Sequence, residues 1–470
     1  MLVRLHTHSE TTVEMGEFTE DWLTPGFSAR RIRLSDRDGD VIAMDRIAVR
    51  GSYVGLISKP FRLEKIEITG LRIVLAAHHG ASEPFGISSA PGSKPKFQVD
   101  EIRLNNAMLR VPRDSPGLPP LDFAFQSAIP QDLGPNTRVR FQIAAHNPIP
   151  SAEVHLKGHA TPFAVSSLRN IPIEGQFTFE KANLSVPHSI SGLLNASGNC
   201  RGTMGDLKCA GTADVPEFQV YGSKNPVHIA SRYQAAVDTL TGNAKLSEVL
   251  AHFNRTTVSA TGQVSGDPDP KGKTLTLDMA VHDGRLEDLL ELFTSAPTPG
   301  MRAAIDMRGR FVIPPGPPDF LTKLRVNGEF SLSRASFTNP ETQTPLDRLA
   351  ASAEGVPKKQ QRKNPETATA NVRAGVTARN GVADLREVVF DLPGIQGHLA
   401  GTFRLHDKQV SLNGVFETQG KLSDTSSGLK ALLLKMIGPL WPKTGSVRSI
   451  PFAISGRGSQ SSFRLRLHEK

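Results

Sequence analysis

The sequence lacks any run of roughly 18 apolar residues, the length a helix needs to cross a bilayer. Residues 1–10, MLVRLHTHSE, are too polar for the apolar core of a signal peptide. Taken alone, these two absences predict a soluble, cytosolic product.

Two aromatic residue types are also scarce, with 3 Tyr and 2 Trp against 23 Phe. A buried Tyr or Trp needs a hydrogen-bond partner, whereas Phe offers only apolar area. The bias suits a surface that meets apolar ligands, and it equally suits an ordinary core. Composition leaves both alternatives open.

Sequence motifs of catalysis are missing. There is no Walker loop, nucleophile elbow or dinucleotide glycine fingerprint. His155 and His159 lie four apart on a predicted strand, but a metal site needs three or four convergent ligands. The acidic residues of 283–291 surround a predicted helix, where they favour its N-terminal end. We therefore expect no enzyme, no metal and no cofactor.

The net charge of +9 raises the question of nucleic acid. Basic residues are spread singly along strands, and the one dense run, 358-KKQQRK-363, has no aromatic neighbours. Nucleic-acid sites usually cluster charge beside stacking aromatics. We expect no nucleic-acid partner, whereas attraction to anionic lipid headgroups is compatible with the charge.

The most frequent pattern in the sequence is the alternation of apolar and polar residues. In 385–420, apolar residues such as Phe403, Leu405, Leu412 and Phe416 recur at every second position between polar ones. This period of two predicts strands with one apolar and one polar face, joined by a tight turn at 406–409. The same rhythm predicts roughly two dozen strands along the chain.

The N-terminal part shows a weak repeat. Strands are predicted near Phe27–Leu34, Val41–Arg50 and Phe61–Leu75, the last interrupted at Thr69–Gly70, with one helical turn at Ser52–Ser58. Phe97–Val111 has the rhythm and length of Phe61–Leu75. Gly, Ser, Pro and His dominate 76–96, which predicts a flexible loop between them.

Only two helices are convincing, near 284–293 and 426–441. The second is apolar on most sides, so it either packs in a core, plugs the end of a groove or lies on a membrane surface. Its candidate contact residues are Leu429, Lys430, Leu433, Lys435 and Trp441.

The predicted fold is mostly β: a long twisted antiparallel sheet that curls around its apolar face into a hydrophobic groove, with two or three short helices. The predicted divisions are an N-terminal β repeat (1–75), the loop 76–96, a middle section (97–273) and a C-terminal region (274–470).

The two cysteines, Cys200 and Cys209, flank Met204–Gly205. If that pair forms the turn of a hairpin, the cysteines lie opposite each other, close enough for a disulfide in an oxidising compartment. Two reduced, half-buried thiols are the alternative.

Several stretches resemble the AsmA family. They are TPGFSARRIRLSD and 59-KPFRLEKIEITGLRIVL-75 in the N-terminal part, and 280-AVHDGRLEDLLELF-293, 324-LRVNGEFSLSRASFTNPETQTPLDRL-349, 391-DLPGIQGHLAGTFRL-405 and 422-LSDTSSGLKALLLKMIGPLWPK-443 after it. The resemblance implies a periplasmic, inner-membrane-associated protein of the bridge-like, chorein-type lipid-transfer group that supports outer-membrane integrity. Such proteins normally begin with a transmembrane helix, which this sequence lacks, so either its start is truncated or this member is untethered.

Together these features favour a non-enzymatic lipid conduit that carries phospholipid acyl chains in an apolar groove. The predicted groove lining is Leu324, Val326, Phe330, Leu332, Phe403, Leu405, Leu412 and Phe416. The alternative is a structural or regulatory scaffold with the same β body, its apolar face closed, that binds an envelope protein partner and no lipid.

Overall fold

A computed structural model describes the protein over most of its length. The described residues are 3–6, 12–35, 41–74, 97–111, 120–134, 137–161, 168–185, 190–221, 223–268, 271–293, 298–316, 319–340, 343–344, 347, 350–351, 367–393, 395–407, 409–418, 450–457 and 462–465. The predicted loop 76–96 and the predicted helix 426–441 lie outside them.

Most of the described residues lie in strands, as the alternation of apolar and polar residues predicts. The strands are β1 Val3–His6, β2 Thr12–Met15, β3 Glu17–Asp21, β4 Gly26–Ser35, β5 Val41–Gly51, β6 Phe61–Thr69, β7 Arg72–Val74, β8 Phe97–Val111, β9 Leu121–Leu133, β10 Val139–Pro148, β11 Ser151–Ala160, β12 Pro172–Asn183, β13 Ile190–Ser191, β14 Leu193–Thr203, β15 Asp206–Val220, β16 Val227–Asp238, β17 Asn243–Phe253, β18 Thr256–Pro268, β19 Lys271–Arg285, β20 Met301–Ile313, β21 Arg325–Phe337, β22 Ala370–Arg379, β23 Val382–Leu392, β24 Ile395–Arg404, β25 Gln409–Thr418, β26 Ile450–Arg457 and β27 Ser462–Leu465.

Helices are few and short. Those with defined bounds in the described residues are α1 Tyr53–Ile57, α2 Leu286–Glu291, α3 Phe320–Lys323 and a 3₁₀ turn at Leu168–Asn170. The predicted turn at Ser52–Ser58 is α1, with Ser52 as its N-cap. The predicted helix at 284–293 is α2, somewhat shorter than its apolar pattern. None of the described helices has the length and apolar character to span a bilayer.

The strands belong to one mixed sheet. Neighbours in sequence pair antiparallel from β8 through β12, then β12 with β14 and β14 with β15. The same antiparallel order runs from β18 to β27. The fold is therefore mostly β, as predicted.

The expectation of a wholly antiparallel sheet is wrong at one place. Strands β6 and β7 both pair parallel with β8, Phe61 opposite Phe97 and Arg72 opposite Met108. A parallel pair needs a long return connection, and residues 75–96 lie between these strands in sequence. The two copies of the weak repeat thus lie side by side in register.

The predicted interruption at Thr69–Gly70 has a backbone cause. Gly70 has φ +68°, and Asn106, its counterpart in the second copy, has φ +52°. Both residues are in the left-handed region, which Gly and Asn tolerate best. Each copy therefore has a left-handed backbone residue at the same point of the repeat.

The chain divides into two compact units. Unit 1 comprises 1–184, 192–215 and 232–247, and unit 2 comprises 185–191, 216–231 and 248–470. The principal buried cluster of unit 2 consists of Val227, Phe253, Val258, Val281, Ala303, Ile305, Leu332 and Ala335. Leu286, Leu289 and Leu292, on or just after α2, pack against it, so α2 covers this part of the sheet.

Candidate functional site

In unit 2 the pairing registers align apolar residues of successive strands into rows that cross the sheet. One row is Leu277, Phe311, Val326, Ala378, Ala383, Phe403 and Val410. The next is Met279, Gly309, Gly328, Val376, Leu385, Gly401 and Leu412. Two further rows are Val281, Met307, Phe330 and Ala374, and Ile305, Leu332, Val372, Phe390 and Gly397. We call these four rows the apolar face.

The other side of the same strands is polar. Asp278 and Arg310 lie directly opposite each other on β19 and β20, and the guanidinium donates to both carboxylate oxygens at 2.7 and 2.9 Å. These bonds lower the pKa of Asp278 from its usual range. Water solvates this side, whereas the apolar face offers water no hydrogen-bonding side chain.

Burial varies along the apolar face, where Ala378 and Ala383 are buried between half-buried neighbours. Near α2, Val281 and Leu332 are 1% and 7% exposed. Farther along the rows, the large side chains Phe311, Val326, Phe403 and Leu412 remain half-buried. These four large side chains therefore keep part of their apolar surface in contact with solvent.

The second row contains two neighbouring glycines, Gly309 and Gly328, and so has no side chain at these positions. They lie opposite each other, and a Cβ atom on either would approach the partner's Cα within about 3.1 Å. The row on each side carries a phenylalanine, Phe311 on one side and Phe330 on the other.

The structure brings together five of the eight predicted lining residues: Val326, Phe330, Leu332, Phe403 and Leu412. Leu332 lies in the buried cluster rather than on accessible surface. Phe416 pairs with Gly397 at a register position of the same face. Among the predicted residues with other roles, Leu429, Lys430, Leu433, Lys435 and Trp441 lie outside the described residues.

Leu324 and Leu405 lie beyond the ends of β21 and β24. Leu324 is the C-cap of α3, and its N–H donates to the Phe320 carbonyl at 2.9 Å. Leu405 is in the turn after β24, where its N–H donates to the Gly381 carbonyl. Alternation alone assigned both residues to strands. The helix hydrogen bond places Leu324 at the end of α3, and the bond to Gly381 places Leu405 one residue beyond the ladder pair Val382–Arg404.

A carboxylate joins these two segments. Asp319, the N-cap of α3, accepts hydrogen bonds from the Thr322 hydroxyl and N–H, and its Oδ1 lies 3.0 Å from His406 Nε2. Thr322, followed by His406, lowers the pKa of Asp319 to about 2.

We expect this pKa to make unit 2 acid-sensitive. The folded-state pKa lies below the ordinary value of 3.8, so the stabilisation is present above that value and is lost as pH falls towards about 2. Because the Asp319 side chain is 32% exposed, we expect a loss of only about 1 kcal/mol. Thermal unfolding followed across this range should show it, and Asp319→Asn, which keeps a capping oxygen, should lack this component. An identical pH profile in both proteins would contradict the assignment.

Unit 1 has the same two-faced construction. Ile143, Leu156, Phe177, Gly198 and Gly211 align as one apolar row across β10, β11, β12, β14 and β15. In the row that pairs Gly158 with Gly175, Cys200 lies opposite Cys209, and a disulfide joins them. The two cysteines flank the turn at Met204–Gly205.

The polar side of unit 1 carries a cavity of about 1130 Å³ that composition did not indicate. One wall is the cross-strand row Arg140, His159, Glu174, Arg201 and Lys208. Arg201 and Lys208 are directly opposed like charges. His155 lies on the same polar side as His159. Only the registers align these scattered basic residues along one wall of the cavity.

Comparison with known proteins finds no matching family model, no matching curated protein and no matching solved structure.

Proposed function

We propose that the protein is a non-enzymatic lipid-binding and lipid-transfer protein that holds phospholipid acyl chains against the apolar face. The observation that carries the proposal is a set of rows composed only of apolar residues and glycine, with half-buried Phe, Val and Leu side chains beyond α2. Apolar surface of this extent on one face marks a binding surface for an apolar partner.

The dimensions suit an acyl chain. The first two rows cross the six strand intervals from β19 to β25, which at about 4.8 Å each give a path of about 29 Å. One leaflet of a bilayer contributes about half of the ~30 Å hydrocarbon core. An extended acyl chain therefore matches the length of these rows, and each methylene that leaves water contributes about 0.8 kcal/mol.

The site is built for binding rather than for reaction. Its side chains are apolar and its floor includes glycines, so it recognises hydrocarbon without selecting a headgroup. The proposed lining is Val326, Phe330, Phe403 and Leu412, with Phe311 and Leu277 added by the registers.

The resemblance of the N-terminal and C-terminal stretches to AsmA-family proteins supports the same proposal. It adds a periplasmic location, association with the inner membrane and a contribution to outer-membrane integrity. The disulfide between Cys200 and Cys209 fits an oxidising compartment of this kind.

Native mass spectrometry of the gently purified protein tests the proposal. We expect a population whose added mass equals that of one or more phospholipids and which loses that mass after organic extraction. Purified protein free of lipid that instead retains a stoichiometric protein partner would contradict it and would support the scaffold alternative.

A further inference from the structure

A cluster of large apolar side chains projects from one end of unit 1, on two neighbouring segments. The first is the turn after β3, with Trp22 and Leu23, and the second is helix α1. We define the tip as Trp22, Leu23, Tyr53, Val54, Leu56 and Ile57. Four of its side chains are almost wholly in solvent: Trp22 is 76% exposed, Leu23 95%, Val54 75% and Ile57 82%.

Hydrogen bonds hold the two segments together. The Tyr53 hydroxyl donates to the Trp22 carbonyl, and the Gly51 N–H donates to the Pro25 carbonyl at 2.8 Å. The Asp21 carboxylate accepts from the Leu23 and Thr24 N–H groups, which shapes the turn. The tip is thus a defined structure rather than a set of unrelated exposed residues.

Helix α1 is oriented the opposite way from an ordinary surface helix. Its one buried residue is Gly55, whose Cα lies so close to β6 that a Cβ would reach within 2.6 Å of the Arg62 carbonyl oxygen. The apolar side chains on either side of the glycine point away from the sheet and are exposed. A surface helix normally buries its apolar residues, so this orientation indicates an external partner.

We propose that the tip inserts into the surface of a lipid bilayer. Side chains this exposed have few protein neighbours, and fluid hydrocarbon accepts them without the shape complementarity that a protein interface requires. Trp and Tyr beside aliphatic residues are the side chains that favour the boundary between headgroups and hydrocarbon. Membrane contact by the tip does not depend on lipid binding by the apolar face.

The charges around the tip nearly cancel. Glu20 and Asp21 precede Trp22, while Arg50 lies opposite Gly26 and Lys59 follows α1. Apolar insertion, rather than attraction to anionic headgroups, therefore drives the proposed binding, and it should persist at high salt.

Tryptophan fluorescence can test this directly, because the only tryptophans are Trp22 and Trp441. In the full-length Trp441→Phe protein, Trp22 is the sole reporter. With phosphatidylcholine vesicles we expect its emission to shift to the blue, and brominated acyl chains should quench it. Unchanged emission with such vesicles would overturn the proposal.

The double variant Leu23→Ser, Ile57→Ser should bind these vesicles at least about tenfold more weakly, because each side chain contributes substantial apolar transfer energy. The matched control is Leu240→Ser, an exposed leucine elsewhere in unit 1, which should bind as the parent protein does. Both positions of the double variant are highly exposed, so its melting temperature should match that of the control.

Two outcomes of this comparison would contradict insertion of the tip into a bilayer. One is vesicle binding by the double variant equal to that of the control. The other is self-association that disappears in the double variant, since a second copy would then be the occupant. Phospholipid measured by native mass spectrometry should be equal in the double variant and the control, which separates failure of the tip from failure of the apolar face.

Discussion

Replacing Phe330 and Phe403 together with aspartate is expected to weaken phospholipid binding at least about tenfold, since each phenyl group contributes apolar contact and each carboxylate must otherwise lose its water. The two residues belong to different rows of the apolar face, on either side of the second row. A hydrocarbon chain lying there would meet both charges. Binding of a fluorescent phospholipid, followed by competition with unlabelled lipid, measures the change.

The matched control places the same charges on the polar side. Asn327→Asp and Ser411→Asp lie on β21 and β25, facing away from the apolar rows. We expect this double variant to bind lipid normally. Because Phe330 also packs against the buried cluster, Phe403→Asp alone provides a variant farther from that cluster. Equal lipid binding by Phe403→Asp and the control would show that the face does not hold lipid.

The second large effect is expected from Asp288→Ala, which should lower the free energy of unfolding by about 3 kcal/mol. Asp288 is only 2% exposed on α2. Its Oδ2 accepts hydrogen bonds from the Arg255 N–H at 2.9 Å and from the hydroxyl of Thr256, which is 1% exposed, at 2.8 Å. Alanine would remove this acceptor from the buried Thr256 hydroxyl and from the part-buried Arg255 N–H.

Urea denaturation followed by circular dichroism measures the loss. Glu291→Ala is the comparison, because the Glu291 carboxylate lies at the surface, where it accepts from Asn254. We expect Glu291→Ala to lower the free energy of unfolding by well under about 1 kcal/mol. Asp288→Asn retains one acceptor oxygen and should fall between the two. A loss for Asp288→Ala no larger than that of Glu291→Ala would contradict the structural role assigned to Asp288.

The acidic residues around α2 show what local pattern could and could not predict. Four acids near a helix N-terminus suggested a dipole effect, which is a local property. In the structure, Glu287 and Asp288 lie in the first turn of α2, as that pattern predicts. They also contact the turn between β17 and β18, where Arg255 lies 3.2 and 3.5 Å from their carboxylates. That turn is distant in sequence, so no helical pattern could have identified it.

The tip was missed for a similar reason. The sequence predicted one helical turn at Ser52–Ser58 and gave Trp22 no role. Exposure became visible only when Gly55 was found to be the residue that faces β6. A segment of Tyr, Val, Leu and Ile is predicted to be buried, because large apolar residues usually are buried.

The sequence by itself determined that the chain is mostly β and that its strands have an apolar and a polar side, because side-chain alternation is a property of each strand alone. It also determined the repeat whose two copies contain the positive-φ residues Gly70 and Asn106. The tertiary structure decided the parallel pairing of that repeat, the continuity of the apolar rows and the alignment of basic residues in unit 1. These depend on register, and register is fixed by contacts between strands rather than by the order of residues within one.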